Sequence, residues 1–158
     1  MGATTPVAFD PDPEHLGLVK TFKAGSAILS GQVVAYADSG ASDTVVPGTT
    51  STGIAIGVAL NTQATTGGEV TVLMQGTECT VMCAATDTSI DAGHWVCLST
   101  VAGCVLEMDP AILAHAAALS TGAFIIGYSL RDSVAGSGTT GATVRIIIQP
   151  VPLFTASS

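Results

Sequence analysis

The chain has 158 residues, with four basic and twelve acidic side chains, a net charge of −8, and charged residues making up only 10% of it. That length suits one domain and buries roughly 68–70% of the unfolded surface, so folding requires neither a metal nor a disulfide. The negative balance argues against binding a phosphate backbone, so no direct nucleic-acid partner is expected, and apolar runs such as residues 123–128 are too short to span a bilayer, so no membrane partner is expected either.

The 47% hydrophobic content comes from Val, Ile, Ala and Leu, with 4% aromatics and 18 glycines, the profile of short strands and frequent turns. A charge density this far below the usual level of roughly 25% suggests that much surface is covered by other subunits or a partner. A Thr- and Ser-coated monomer is the alternative. The start, MGATTPVAFDPDPEH, has neither a basic region nor an apolar core, so it reads as a chain made in a cytoplasm without a secretory signal. Pro6 stands where a myristoylation motif needs Ser or Thr.

Residues 1–15 place Pro6, Pro11 and Pro13 between acids, which predicts an extended arm carrying Val7 and Phe9. A frayed terminus is the alternative. Residues 16–22 alternate weakly as a first strand, Ala24-Gly25 is a turn, and residues 32–37, QVVAYA, are a strand. A loop over 38–52 contains Val45-Val46, which could pair briefly before Pro47. Residues 53–75, GIAIGVALNTQATTGGEVTVLMQ, follow as strand, polar turn and strand.

Gly76 ends that unit. Residues 78–84, ECTVMCA, read as a buried strand, and residues 94–99 and 104–107 as a hairpin with Trp95 as the large anchor plugging one end of the core. Asp109 and Pro110 are cap and first-turn residues for a short helix near 110–119, rich in Ala, which Gly122 ends. Residues 122–149 then repeat the earlier pattern. Ile126-Gly127-Tyr128-Ser129-Leu130 echoes Ile56-Gly57-Val58-Ala59-Leu60, and VRIIIQ, ending at Gln149, echoes VTVLMQ, ending at Gln75. A strand, turn and strand used twice predicts a β-fold containing two related hairpins. The tail, 150–158, presents Leu153 and Phe154 after Pro150 and Pro152.

The chemistry-bearing residue types do not assemble into a motif. Cys79, Cys83, Cys97 and Cys104 lack zinc-knuckle spacing, and His94 with Cys97 is the nearest approach to a ligand pair. Cys97 and Cys104 flank a tight turn and could be cross-strand neighbours, but small buried hydrophobes are the favoured reading. His15, His94 and His115 have no Gly-x-Ser-x-Gly elbow to serve. Residues 136–141, GSGTTG, resemble a phosphate cradle but lack the Gly-Lys-Ser/Thr of a P-loop. They are similar to the closing glycine motif of trimeric dUTPase-type nucleotide hydrolases, whose aspartate motif is not evident. Asp10 with Asp12, and Asp87 with Asp91, lie in turns and read as solvated.

The order of several segments carries a resemblance. Ala24-Gly25, Ser30-Gly-Gln-Val-Val-Ala35, Gly53-Ile-Ala-Ile-Gly-Val-Ala59, Gly68-Glu-Val-Thr-Val-Leu73, Ala92-Gly-His-Trp-Val96 and Ile125-Ile-Gly-Tyr128 are similar to the tailed-phage capsid decoration, or capsid cement, proteins, over roughly residues 24–149. The resemblance implies a trimeric β-barrel or β-tulip on the outer capsid surface that clamps the major capsid protein lattice and has no catalytic, cofactor or metal site. The expectation is therefore a mainly β, single-domain protein over 16–149 with one short helix, an arm over 1–15 and a tail over 150–158. Val7, Phe9, Pro11, Pro13, Leu153 and Phe154 are its candidate capsid or inter-subunit contacts. A dUTPase-like hydrolase and a carbohydrate- or surface-binding β-module are the competing classes. The latter would need exposed aromatics from among Trp95, Tyr36 and Tyr128.

Overall fold

In the computed structural model, which describes residues 17–37, 43–50, 54–75, 78–84, 90–108, 124–134 and 142–152, the chain forms ten β-strands and, among the described residues, no helix. The first five are β1 (Leu18–Ala24), β2 (Val33–Tyr36), β3 (Thr44–Pro47), β4 (Ala55–Ala59) and β5 (Glu69–Gln75). They close into a barrel in the order β1-β3-β2-β4-β5, with β5 pairing back on β1. The β1–β3 seam is parallel and every other pairing is antiparallel. Period-two alternation selects the inward faces. Phe22 and Ala24 of β1, Val45 of β3 and Val70 and Val72 of β5 fill the interior with Ile28, Val34 and Ile56, while Lys23 and Glu69 face out.

The second set is β6 (Cys79–Met82), β7 (Trp95–Leu98), β8 (Val105–Glu107), β9 (Phe124–Ser129) and β10 (Thr143–Pro152), in the sheet order β6-β10-β9-β7-β8. Replacing β1 to β5 by β6 to β10 reproduces every pairing of the first barrel. β6 pairs antiparallel with β10 as β1 does with β5, and β10 with β9 as β5 does with β4. Even the parallel seam has its counterpart in a single bridge, Cys83 to Val105, beside β8, where the Ala84 N–H donates to the Val105 carbonyl at 3.0 Å as Gly25 does to Val45 at 2.8 Å. Gly31 N to Ala59 O and Gly93 N to Ser129 O, both 2.8 Å, are the same bond in the two halves, as are Leu60 N to Thr71 O and Leu130 N to Arg145 O, again both 2.8 Å. Ile28 and Ile90, both fully buried, also occupy equivalent places. The molecule is thus a tandem duplication of one five-stranded unit, closed by a ladder in the first half and by a bridge in the second.

The two units share a core. One buried cluster runs from the inner face of the second sheet (Val81, Val96, Leu98, Ile126, Val144, Ile146 and Ile148) onto Val33, Ala55, Val58 and Leu73 of the first barrel. β4 lies between the two cores and is buried at all five positions, which is why AIGVA reads as an unbroken apolar run. The repeated Gly explains itself here. A Cβ on Gly57 would overlap the Leu73 carbonyl oxygen, and one on Gly127 the Ile147 carbonyl oxygen, so each β-hairpin closes tightly around a residue without a side chain.

The mainly β barrel architecture matches the expectation from sequence, and the two related hairpins are β4–β5 and β9–β10. The repeat is larger than those hairpins and takes in all ten strands. Val45-Val46 belong to a full strand, β3, that accommodates Pro47 at its end. β10 continues past Gln149 through Pro150 to Pro152, opposite Ile125 and Phe124, after a register shift that lets a proline-containing segment keep pairing on one edge. The helix expected near 110–119 and the arm over 1–15 lie outside the described residues.

Candidate functional site

Polar chemistry concentrates where the segment entering β7 meets β8 and the end of β9. Four side-chain oxygens accept from the backbone N–H groups of this segment. Ser133 Oγ takes Ile90 N at 3.0 Å, Glu107 Oε2 takes Asp91 N at 3.0 Å, Asp132 Oδ1 takes Ala92 N at 2.9 Å and Ser129 Oγ takes His94 N at 3.1 Å. The Ser129 hydroxyl donates in turn to the Asp91 carbonyl. The second carboxylate oxygen of Glu107 lies 2.6 Å from His94 Nδ1. Each of these oxygens therefore braces the turn, and those of Ser133 and Ser129 satisfy part-buried N–H groups. The first barrel uses a lighter form of the same clamp. Gln32 Oε1 accepts from Leu29 N at 2.8 Å and Thr62 Oγ1 from Ser30 N at 3.1 Å.

Asp91, half of a carboxylate pair noted in the sequence, belongs to this clamp, whereas Asp87 and the glycine-rich residues 136–141 lie outside the described residues. His94 and Cys97 do not converge, because three positions along a strand point to opposite faces. Among the described residues no group of three or more His, Cys, Asp and Glu is arranged to hold a metal.

All four cysteines are buried. Cys79 and Cys83 share a face, as their spacing requires, and point with Val81 into the common core. Cys97 stands opposite Leu106, while Ser99 N bonds to Cys104 O at 3.0 Å. Cys104 is thus displaced by two residues from a position facing Cys97, and the turn does not bring the two together as a pair. Burial pushes the Cys104 thiol above its ordinary pKa, which lowers its reactivity.

Trp95 does not plug the core. Val96 and Leu98 take the inward face of β7, so alternation turns Trp95 outward, where it is half-buried and packs edge-on against Tyr128 with ring centroids 5.7 Å apart and planes at 74°. Tyr36 makes the same kind of contact with Phe22 at 6.0 Å. These aromatics form two separate edge-to-face pairs, with Lys20 Nζ 5.0 Å above the Phe22 ring.

What remains distinctive is the outer surface of β1. Leu18, Val19, Lys20 and Thr21 are exposed on both faces of the strand, Leu18 to 60%, and Lys23 pairs with Asp43 at 3.4 Å. Two of the chain's four basic residues thus lie on one strand. Further exposed apolar side chains are Leu29 and Val101, on loops that Gln32 ties together through its bonds to Leu29 N and, at 3.3 Å, to Ala102 O. The sequence-predicted contact residues Val7, Phe9, Pro11, Pro13, Leu153 and Phe154 all lie outside the described residues.

No family model matches the chain, and no curated protein matches it. A solved structure does. The fold is similar to the crystal structure of the head fiber gp8.5 N base in bacteriophage phi29, with a TM-score of 0.55, 17% identity, and coverage of 87% of this chain and 98% of that one. It is a likeness of fold. Because it covers most of both chains, it extends beyond the first barrel alone.

Proposed function

We propose that this chain is a structural protein of a tailed-phage head, bound to the outer surface of the capsid as a trimer and stabilising the lattice of the major capsid protein. The observation that carries the reading is the fold shared with a phage head fiber base over 87% of the chain. The glycine-and-strand segments between residues 24 and 128 point the same way independently, through their resemblance to capsid cement proteins. A role without catalysis or cofactor accords with the polar cluster at His94, whose side chains are occupied in bracing a turn. Rigidity follows from a barrel and a five-stranded sheet sharing one core, and weak contacts repeated over a lattice sum to strong attachment. The acidic surface, at −8, would not compete for packaged genome. Val7, Phe9, Pro11, Pro13, Leu153 and Phe154 are the residues assigned to contacts with the capsid or between subunits.

Co-sedimentation of the purified protein with expanded empty capsids of its virus tests this. Saturation at a fixed stoichiometry is expected, with deletion of residues 1–15 or 153–158 weakening it. The second cut belongs at 153 because Pro150 to Pro152 are part of β10 and removing them would damage the sheet. A protein that leaves capsids bare at high concentration refutes the capsid role.

A further inference from the structure

The contact between the two units has two complementary parts. Val33, Val58 and Leu73 stand side by side across β2, β4 and β5, on the outside of the first barrel. All three are buried, because the second sheet covers them. It covers them with the open end of its own inner face. Cys79 at the start of β6, Leu98 at the end of β7 and Ile148 of β10 belong to the same buried cluster, with β10 lying against β4 and β5, and β9 against β4. A Cβ on Gly48, at the end of β3, would lie 3.2 Å from Leu98 Cδ2. One unit thus offers a seat, a cross-strand triad of outward side chains. The other offers a plug, the open end of its interior.

Duplication gives each unit both parts. The seat of the second unit is Trp95, Tyr128 and Ile147, aligned across β7, β9 and β10 as Val33, Val58 and Leu73 are in the first. These three are only partly buried. The plug of the first unit is Lys20, Tyr36 and Met74. Tyr36 stands opposite Val45 where Leu98 stands opposite Val105, and Lys20 opposite Val72 where Cys79 stands opposite Ile146. Tyr36 and Met74 are partly buried against the interior of the first barrel, Lys20 is exposed, and Leu18, on the same face of β1, is 60% exposed. The first seat and the second plug meet in the shared core, and the second seat and the first plug do not. Their chemistry is nevertheless matched. The internal pair joins aliphatic side chains and one thiol. The other seat has Trp and Tyr in place of two valines, and the other plug has an ammonium in place of the thiol. A cation against aromatic faces is favoured, and aromatics are enriched at the centres of protein interfaces. Arg145, two residues before Ile147, is paired with Glu78, so it does not meet an incoming Lys20 as an isolated charge.

We propose that the Trp95, Tyr128 and Ile147 face of one copy seats the open end of the first barrel, at Leu18, Lys20, Tyr36 and Met74, of a second copy. The contact repeats between molecules the one already made within each. It is head-to-tail, so successive copies continue the same order of units, and the trimer in the reading above is its closed ring. The inference rests on that trimer and is independent of capsid binding.

Trp95 is the single tryptophan of the chain, so its fluorescence reports on the seat. Light scattering and Trp95 emission are followed together through a dilution series of the full chain, and the emission should move to the red as the trimer dissociates. Tyr128→Glu spoils the seat and keeps the plug, whereas Leu18→Glu with Lys20→Glu spoils the plug and keeps the seat. Each should weaken self-association by roughly tenfold or more, by placing an unpaired charge in the contact. Mixed in equal amounts, the two should form a one-to-one pair, because one intact seat meets one intact plug. Circular dichroism checks that each variant is folded, and Ile147→Lys replaces Tyr128→Glu if that variant is not. A trimer that persists in both folded variants, with no change in emission on dissociation, overturns this docking and leaves the trimer reading intact. A mixture that remains monomeric overturns the head-to-tail contact. A chain that is monomeric at all concentrations overturns both, and co-sedimentation still decides the capsid role separately.

Discussion

Adding a methyl group at Gly127 should separate β9 from β10. The Cβ would occupy the place of the Ile147 carbonyl oxygen, a backbone atom that cannot rotate aside. The strands must part by on the order of 1 Å, from a spacing of about 4.8 Å, and that takes the nearest N–H···O pairs out of bonding range. Gly127 stands opposite Ile148 on one side and Val96 on the other, so no free edge is available to absorb the shift. Two buried ladder bonds lost, at about 1–3 kcal/mol each once their groups are left unsatisfied, give about 2–6 kcal/mol. At roughly 2–4 °C per kcal/mol for a chain of this size, the melting temperature of Gly127→Ala should fall by about 5–20 °C. Gly57→Ala, the equivalent change in the first barrel, should behave alike, because its Cβ meets the Leu73 carbonyl. Gly67→Ala is the control. Gly67 has φ +84 and open space around it, so only backbone strain of about 1 kcal/mol is expected. Thermal and urea unfolding followed by circular dichroism measures all three. If Gly127→Ala lies within 1 kcal/mol of Gly67→Ala, close strand approach is not what the repeated glycine is for.

Gln32→Ala removes the link between the two exposed loops and should destabilise by about 1–2 kcal/mol in urea titration, with hydrogen exchange rising at Leu29 and in residues 99–104. Thiol titration of the native protein should find none of the four cysteines reactive on the minute scale and all four reactive in denaturant; a rapidly modified native thiol would contradict their burial. Asp43 is held below its ordinary value by its hydrogen bond to Lys23. Its contribution is therefore fully present above the ordinary carboxylate range and disappears as pH falls through the lowered value. The stability difference between the protein and its Asp43→Asn variant should accordingly be small, present at neutral pH, and gone in strong acid.

Much of the fold was legible because local pattern and tertiary demand agree. EVTVLMQ alternates, and its Val70 and Val72 point inward; the AIGVA run is apolar throughout, and β4 is buried throughout. The full duplication was harder to see. β1 and β6, LVKTFKA against CTVM, share almost no residues, and their equivalence lies in hydrogen bonds that side chains do not encode. One available signal was the pair Ser30-Gly31-Gln32-Val33 and Ala92-Gly93-His94-Trp95, each with a positive-φ glycine entering a strand. Trp95 was misplaced because its size argued for the core, when the period set by Val96 and Leu98 already turned it outward. The polar clamp was illegible, since Ser129, Asp132 and Glu107 acquire their roles only when the fold brings them to residues 90–94.

The tandem architecture also poses a hazard during synthesis. Two units with the same strand order offer each other mutually compatible partners, so a newly made β4–β5 hairpin could recruit β10 in place of β5, or hand a strand to a neighbouring chain. Divergence between the halves works against such shuffling. Gln63, which caps the first turn, has Ser133 as its counterpart, and the lysines of β1 have no equivalents on β6. Each half therefore carries side chains that bond within its own turns. The dissimilarity that hides the repeat from a reader of the sequence is also the kind of difference that disfavours strand exchange between two like units.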